Sequence, residues 1–452
     1  VARGGIVMLR FRSLCARRWL RDEVEKGAMP VWQTLTRREL FRGLSVLALA
    51  AGRAESAQPS NFFPPLQAGT AADEAKLWKG SALGNLYPFI KRQQEKTRQS
   101  LAFLHRRPKD LEAWKAEGRA KVFELMSYRP EAVHPRPRVL DRVDRGDYIR
   151  ERLNFWTTTD VEVPCYFLIP KRAKFPVPAV VALHDHGGFY YWGKEKLVET
   201  DGEHPMLATY RKEYYDGASF PVTLAQRGYA VIVIDMFYHG ERRLILDEDL
   251  ENRTNDRSKA EPEEIIRQIN HRAGSSEEIV FRNILHSGFT WAGVLVWDDI
   301  RTVDYLRTRP EVDPNRIACA GLSVGGWRTV FLAGLDPRIK AACVVGWMTS
   351  FHYLIPHHEI YTVPSGMIPG LLEYLDYPDI ATLAMPCPLL VVHGQQDTLF
   401  PPEGVKAAMD TLHQSYQALG RPERFDTWVF DGPHKFPLAA QRKMMDWFDR
   451  WV

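Results

Sequence analysis

Apolar and polar positions change rhythm three times along the chain. From about Asp73 to Tyr128 the apolar residues recur at helical spacing, with Leu111, Trp114, Val122 and Leu125 on one face. Pro88 and Pro108 fall where first-turn prolines are tolerated. From Val139 the period shortens. Val139–Val143, Tyr148–Thr157 and Val161–Ile169 alternate between short polar turns, which predicts an antiparallel start to a sheet. Wholly apolar runs follow: Ala179–Leu183, Ala230–Ile234, Ile317–Ala320, Ala341–Val345 and Leu389–Val392. Runs of this kind are expected of parallel strands buried on both faces, where neither side meets water. Helical stretches lie between them, notably Val294–Arg307 with Val296, Ile300, Val303 and Leu306 on one side. Strand and helix in alternation predict an α/β fold, a mostly parallel doubly wound sheet with an N-terminal helical extension.

Two stretches exceed minimal strand-to-helix connections. Residues 241–290 are charged and largely helical, and 348–380 are rich in His, Tyr and Pro. Both follow strand C-termini, the edge where open α/β sheets bind ligands, and are expected as a cap or as pocket walls. The chain therefore divides into a leader (1–57), a linker with the helical extension (58–135) and a catalytic domain (136–452). The extension is too short for a robust core of its own and is expected to pack on the domain behind it.

Composition adds bounds. A chain of 452 residues with 45% hydrophobic and 26% charged positions is an ordinary globular protein. The net charge of +4 resides in the leader, since residues 1–57 carry +6 and residues 58–452 carry −2. No nucleic-acid partner is implied. Within the leader, Thr36-Arg-Arg-Glu-Leu-Phe-Arg42 resembles a bacterial twin-arginine export signal, followed by an apolar run from Gly43 to Gly52 and the small-residue stretch Ala54–Ala57. The alternative is an amphipathic N-terminal helix. The run, of about ten residues, is too short for a permanent membrane span. An exported protein, periplasmic or secreted, is expected, and Met29 is a more natural start than Val1. Cys15, Cys165, Cys319, Cys343 and Cys387 form no metal or redox spacing and read as buried small hydrophobes.

The chemistry gathers around Gly321-Leu-Ser-Val-Gly325, between the run Ile317–Ala320 and a helical pattern. This is a G-x-S-x-G nucleophile elbow, a strained strand-to-helix turn that lifts the Ser323 hydroxyl clear of the sheet. Such a serine needs a base, a group to orient the base, and N–H donors for the oxyanion, with the acid and then the histidine following in chain order. Asp397 lies on the loop after Leu389–Val392. His434 lies on the loop after Phe425–Phe430. For the oxyanion, the N–H of Val324 and one from His184-Asp-His-Gly-Gly188 are candidates, with Gly188 preferred over Gly187.

With these motifs in view, residues 139–452 resemble the α/β-hydrolase superfamily, and within it the dienelactone hydrolase and acetyl xylan esterase-like branch. The resemblance rests on His184-Asp-His-Gly-Gly188, Trp297–Tyr305, Gly321–Gly326, His393-Gly-Gln-Gln-Asp397 and Gly432-Pro-His434. It implies catalytic roles for Ser323, Asp397 and His434. Serine stands where dienelactone hydrolases carry cysteine, so that activity is not implied. The expected function is a serine carboxylic ester hydrolase working through an acyl-enzyme, with a small-molecule or acylated carbohydrate ester as substrate and no cofactor or metal. A prolyl-oligopeptidase-like peptidase and a non-catalytic binding protein on the same scaffold are the alternatives.

Other residues admit two readings. Phe189-Tyr-Tyr-Trp192, directly after the oxyanion loop, could stack on a sugar or an aromatic acyl group, or pack against the 348–380 insertion. His184 and His186 flank Asp185 in a way that admits a metal pair, although structural hydrogen bonding is favoured there. His357-His358 either line the pocket or are exposed. Asp235 and His239-Gly-Glu241 are expected to stabilise their loop, Asp298 and Asp299 to be solvated or structural, and Trp327 and Trp347 to be core.

Overall fold

The expected strands all form. They are β1 (Arg138–Asp144), β2 (Tyr148–Trp156), β3 (Glu162–Pro170), β4 (Val177–Leu183), β5 (Ala230–Ile234), β6 (Val312–Leu322), β7 (Ile339–Val345), β8 (Leu389–Gly394) and β9 (Phe425–Phe430). This computed structural model describes residues 79, 81–247, 249, 261–355 and 363–452. The leader (1–57) lies outside the described residues, as do His357 and His358. The strands make one sheet in the order β1-β2-β3-β5-β4-β6-β7-β8-β9. Pairings from β1 through β3 to β5 are antiparallel, and those from β5 through β4 to β9 are parallel.

The loss of alternation has the expected cause. In β4, Ala179, Val181 and Leu183 pack into one apolar cluster while Val180 and Ala182 pack into another, so both faces of the strand are dry. Helices cover the sheet: α1 (Tyr87–Gln94), α2 (Phe103–Arg106), α3 (Leu111–Met126), α4 (Pro205–Tyr215), α5 (Phe220–Gln226), α6 (Glu263–His286), α7 (Trp291–Leu306), α8 (Val324–Leu335), α9 (Tyr377–Thr382), α10 (Pro402–Ala418) and α11 (Leu438–Trp451). Gly69–Val452 make up one compact unit. The N-terminal helices belong to it, since Trp114, Val122 and Met126 of α3 are buried in the same cluster as β4. Pro88 sits in the first turn of α1, whereas Pro108 lies in the loop before Asp110, whose carboxylate caps α3 by accepting the Ala113 N–H.

Helices α4 and α5 are among those not marked out in advance. They have irregular apolar spacing, but each has a local start signal: a first-turn proline behind a capping His204 or Ser219. Among the described residues no single helix is long and apolar enough to cross a membrane.

Candidate active site

Four loops leave the C-terminal ends of parallel strands and meet in one place. The turn after β6 carries Ser323, the loop after β4 carries Gly187 and Gly188, and the loops after β8 and β9 carry Asp397 and His434. Ser323 sits at φ +59° and ψ −124° as the N-cap of α8. A non-glycine residue is held there only because its surroundings over-determine it. Glycine is obligatory two residues on: a Cβ at Gly325 would fall on the Leu183 carbonyl of β4.

Ser323, Val324, Gly187, Gly188 and His434 line one cavity of about 200 Å3, walled also by Trp347, Leu399 and Phe400. The Asp397 side chain is fully buried, and its Oδ2 lies 2.6 Å from His434 Nδ1. Its Oδ1 accepts the Leu399 N–H at 3.0 Å. A carboxylate only accepts, so Nδ1 of His434 carries the proton and Nε2 keeps its lone pair. That Nε2 is buried with no hydrogen-bond partner among the described residues. An imidazole so oriented can take a proton from a hydroxyl and return it to a leaving group.

In the loop after β4, expected to supply an oxyanion donor, the two glycine N–H groups are engaged differently. The Gly188 N–H donates to His186 Nδ1 at 3.0 Å and is therefore engaged within the protein. His186 then carries its proton on Nε2, which lies 2.8 Å from Glu277 Oε1 of α6. The Gly187 N–H has no acceptor among the described residues, nor has that of Val324 at the start of α8. Of the two glycines, it is therefore Gly187 whose N–H is available to a bound group. Gly187 is at φ +56°, and a Cβ there would run into the Tyr210 hydroxyl and the Asp185 carboxylate.

The aromatic run also departs from one of its two readings. Phe189, Tyr190, Tyr191 and Trp192 are all buried, and none lines the Ser323 cavity. Phe189 stacks on Tyr210, Tyr190 on His239, and Trp192 packs on His204, while the Tyr191 N–H donates to Asn270 of α6. These ring and hydrogen-bond partners belong to the loop after β5 and to helices α4 and α6. Stacking won because each ring buries a large apolar area away from water.

The histidines beside the loop are structural. His184 Nε2 accepts the Met236 N–H at 3.0 Å, so its Nδ1 donates to the Asp185 carbonyl at 2.8 Å. Burial, helped by the charges of Lys196 and Arg328, pushes its pKa well below the usual range. Among the described residues no group of three or more His, Cys, Asp or Glu side chains is placed to hold a metal ion. Asp235 and Glu241 do brace their loop, both bonding Lys194 Nζ, at 2.8 and 2.6 Å. Asp298 and Asp299 are buried rather than solvated, paired with Arg242 and Arg328. Trp327 is core; Trp347 is buried too, yet it walls the cavity.

Residues the sequence did not single out also line the cavity. Phe400 follows Asp397 closely enough that its place on the same loop was a usable signal. Tyr214 of α4 carried none.

A model of the Abhydrolase family matches residues 85–449. The chain belongs to that family. This abhydrolase is 28% identical over 344 residues to YtaP of Bacillus subtilis (strain 168), a protein whose name goes no further than hydrolase; the match covers 75% of this chain and 100% of YtaP. Among solved structures it is similar to a Bacteroides fragilis NCTC 9343 protein provisionally named an acetyl xylan esterase, at 20% identity, TM-score 0.59, and coverage of 76% and 82% of the two chains. It is also similar to a glucuronoyl esterase from Solibacter usitatus, at 12% identity, TM-score 0.55, and coverage of 75% and 94%. At these identities the likeness is one of fold, that of the α/β-hydrolases.

Proposed function

We propose that this abhydrolase is a serine esterase that removes short acyl groups from carbohydrate esters. Ser323 attacks the ester carbonyl while His434 Nε2 takes its proton. Asp397 holds the imidazole in the required tautomer and stabilises its cation. The Gly187 and Val324 N–H groups receive the oxyanion. The protonated His434 then gives its proton to the departing alcohol, and water, deprotonated by His434, hydrolyses the acyl-enzyme. The reaction asks for no cofactor. The observation that carries this reading is that the strained Ser323 and His434, whose buried Nε2 has no hydrogen-bond partner among the described residues, line the same cavity.

At about 200 Å3 the cavity is smaller than the several hundred Å3 usual for drug-sized ligands, which supports a small acyl group such as acetyl. The acetyl xylan and glucuronoyl esterase names among its structural neighbours support a sugar ester. Such a substrate is met outside the cell, in keeping with export by the twin-arginine-like leader. A peptidase of the propeller-bearing kind is less well supported, because the described segment before the sheet is helical.

The test is hydrolysis of a p-nitrophenyl acyl series, acetate to octanoate, by the full chain and by Ser323→Ala. Turnover that peaks at acetate and vanishes in the variant is expected. A peak at long chains would overturn the small-acyl reading, and equal activity in both proteins would overturn the site.

A further inference from the structure

Two lysines two residues apart are both fully buried, and their surroundings differ. Lys194 Nζ is met by Asp235, Glu241 and Glu195 at 2.8, 2.6 and 3.1 Å, which suffices to keep a buried ammonium charged. Lys196 has no such cage. Its Nζ donates to two backbone carbonyls, those of Asp185 at 3.0 Å and His186 at 2.7 Å, and the nearest carboxylate oxygen, on Asp185, is 3.9 Å away. That carboxylate already accepts the hydroxyls of Tyr210 and Tyr215. A buried lysine whose hydrogen bonds go to carbonyls, with its nearest carboxylate oxygen at 3.9 Å, is a costly way to fasten a loop, because desolvation of the ammonium is repaid poorly.

The carbonyl of His186 belongs to the same peptide group as the N–H of Gly187. That peptide is trans, so its C=O and N–H point in opposite directions. With the ammonium on the oxygen side, the N–H faces away from Lys196, and Gly187 lines the cavity that holds Ser323. A cation on the carbonyl polarises the amide and strengthens its N–H as a donor. We propose that Lys196 is a positioning residue that aims and polarises the His186–Gly187 peptide, so that the Gly187 N–H stabilises the oxyanion formed at Ser323. This rests on the esterase reading above.

The arrangement has a pH signature. Burial pushes the Lys196 ammonium down to about 8, with Asp185, Asp235 and Glu195 acting in the opposite sense. The other groups facing it are the Tyr210 ring, 5.5 Å from Nζ, and His184 and His239, both held neutral by burial. Loss of its proton removes the cation from the peptide, so kcat is expected to fall on the alkaline side.

The experiment is steady-state hydrolysis of p-nitrophenyl acetate from pH 5 to 10 by the full chain, Lys196→Met, Lys196→Arg and Ser323→Ala. In Lys196→Met, kcat is expected to drop about tenfold, less than the roughly hundredfold or more for losing an oxyanion donor outright. Its KM should stay within about twofold, and its alkaline decline should disappear. Lys196→Arg, which keeps a cation, should recover most of kcat. Wild-type kcat in Lys196→Met with the alkaline decline intact, or an effect on KM alone, would overturn the proposal. If Lys196→Met does not fold by circular dichroism, the wild-type profile decides, and a kcat flat to pH 10 overturns it. An active Ser323→Ala would sink the esterase reading and this inference with it. An inactive Ser323→Ala beside an unaffected Lys196→Met sinks the inference alone.

Discussion

Asp397 Oδ2 and His434 Nδ1 are 2.6 Å apart, although 37 residues separate them in the chain. Their loops leave β8 and β9, neighbouring parallel strands with Gly394 paired to Phe430, so the sheet register itself brings the two together. Asp397→Asn would let the imidazole settle in the wrong tautomer while changing little in shape. A loss of kcat of about 10³–10⁴ is expected, with KM and thermal midpoint nearly unchanged. An Asn variant with kcat within tenfold of wild type would show that His434 does not depend on this pair.

The two glycines of the loop after β4, proposed to serve the oxyanion, should respond differently to a methyl group. At Gly187 a Cβ meets Tyr210 and Asp185, while at Gly188 it meets nothing within 4 Å and only the positive φ of +63° opposes it. Gly188→Ala is expected to cost on the order of 1–2 kcal/mol of stability and to leave kcat within a few-fold. Gly187→Ala should lower kcat by about 10² or more. Kinetics and denaturant unfolding of both variants check this, and equal kinetic losses would count against Gly187 as the donor.

Trp192 tests the packing of the aromatic run. It is buried against Phe189 and Tyr191, with ring centroids 5.0 and 4.9 Å away. Trp192→Ala should cost about 3–5 kcal/mol of stability, and KM for the folded variant should stay within about twofold. A raised KM with unchanged stability would restore the ring as a substrate contact.

Arg328 of α8 and Asp299 of α7 form a buried ion pair that ties the helix following Ser323 to its neighbour. Arg328→Met would leave the Asp299 carboxylate buried and unpaired, and a loss of about 3–5 kcal/mol is expected in denaturant unfolding at pH 8. A loss under 1 kcal/mol would mean that the helices are held by apolar packing alone.

Asp379 gives stability a pH dependence. Burial raises it from the ordinary aspartate value to about 7, while the Asp376 N–H it accepts pulls the other way. The native protein therefore binds more protons than the unfolded chain between roughly pH 4 and 7, so stability falls as pH rises through that window. An Asn at this position can accept the same N–H and does not ionise. Asp379→Asn should gain on wild type from pH 4 to pH 8, by up to about 4 kcal/mol. A gap independent of pH, by chemical denaturation at pH 5 and 8, would show that Asp379 does not titrate there.

The sequence by itself determined the nine strands, the strained turn at Ser323 and the loops bearing Asp397 and His434. Each depends on chemistry local to a few residues: apolar runs, flanking glycines, and a polar residue just past a strand. The engagement of the Gly188 N–H by His186, the inward turn of Phe189–Trp192 and the burial of Asp298 and Asp299 were decided only by tertiary structure. His186 meets Glu277 across 91 residues, and Asp299 meets Arg328 across 29. Contacts at such separations leave no period in the sequence. Whether a histidine, aromatic or lysine faces substrate or core depends on which partners the packed helices bring within hydrogen-bond or van der Waals reach.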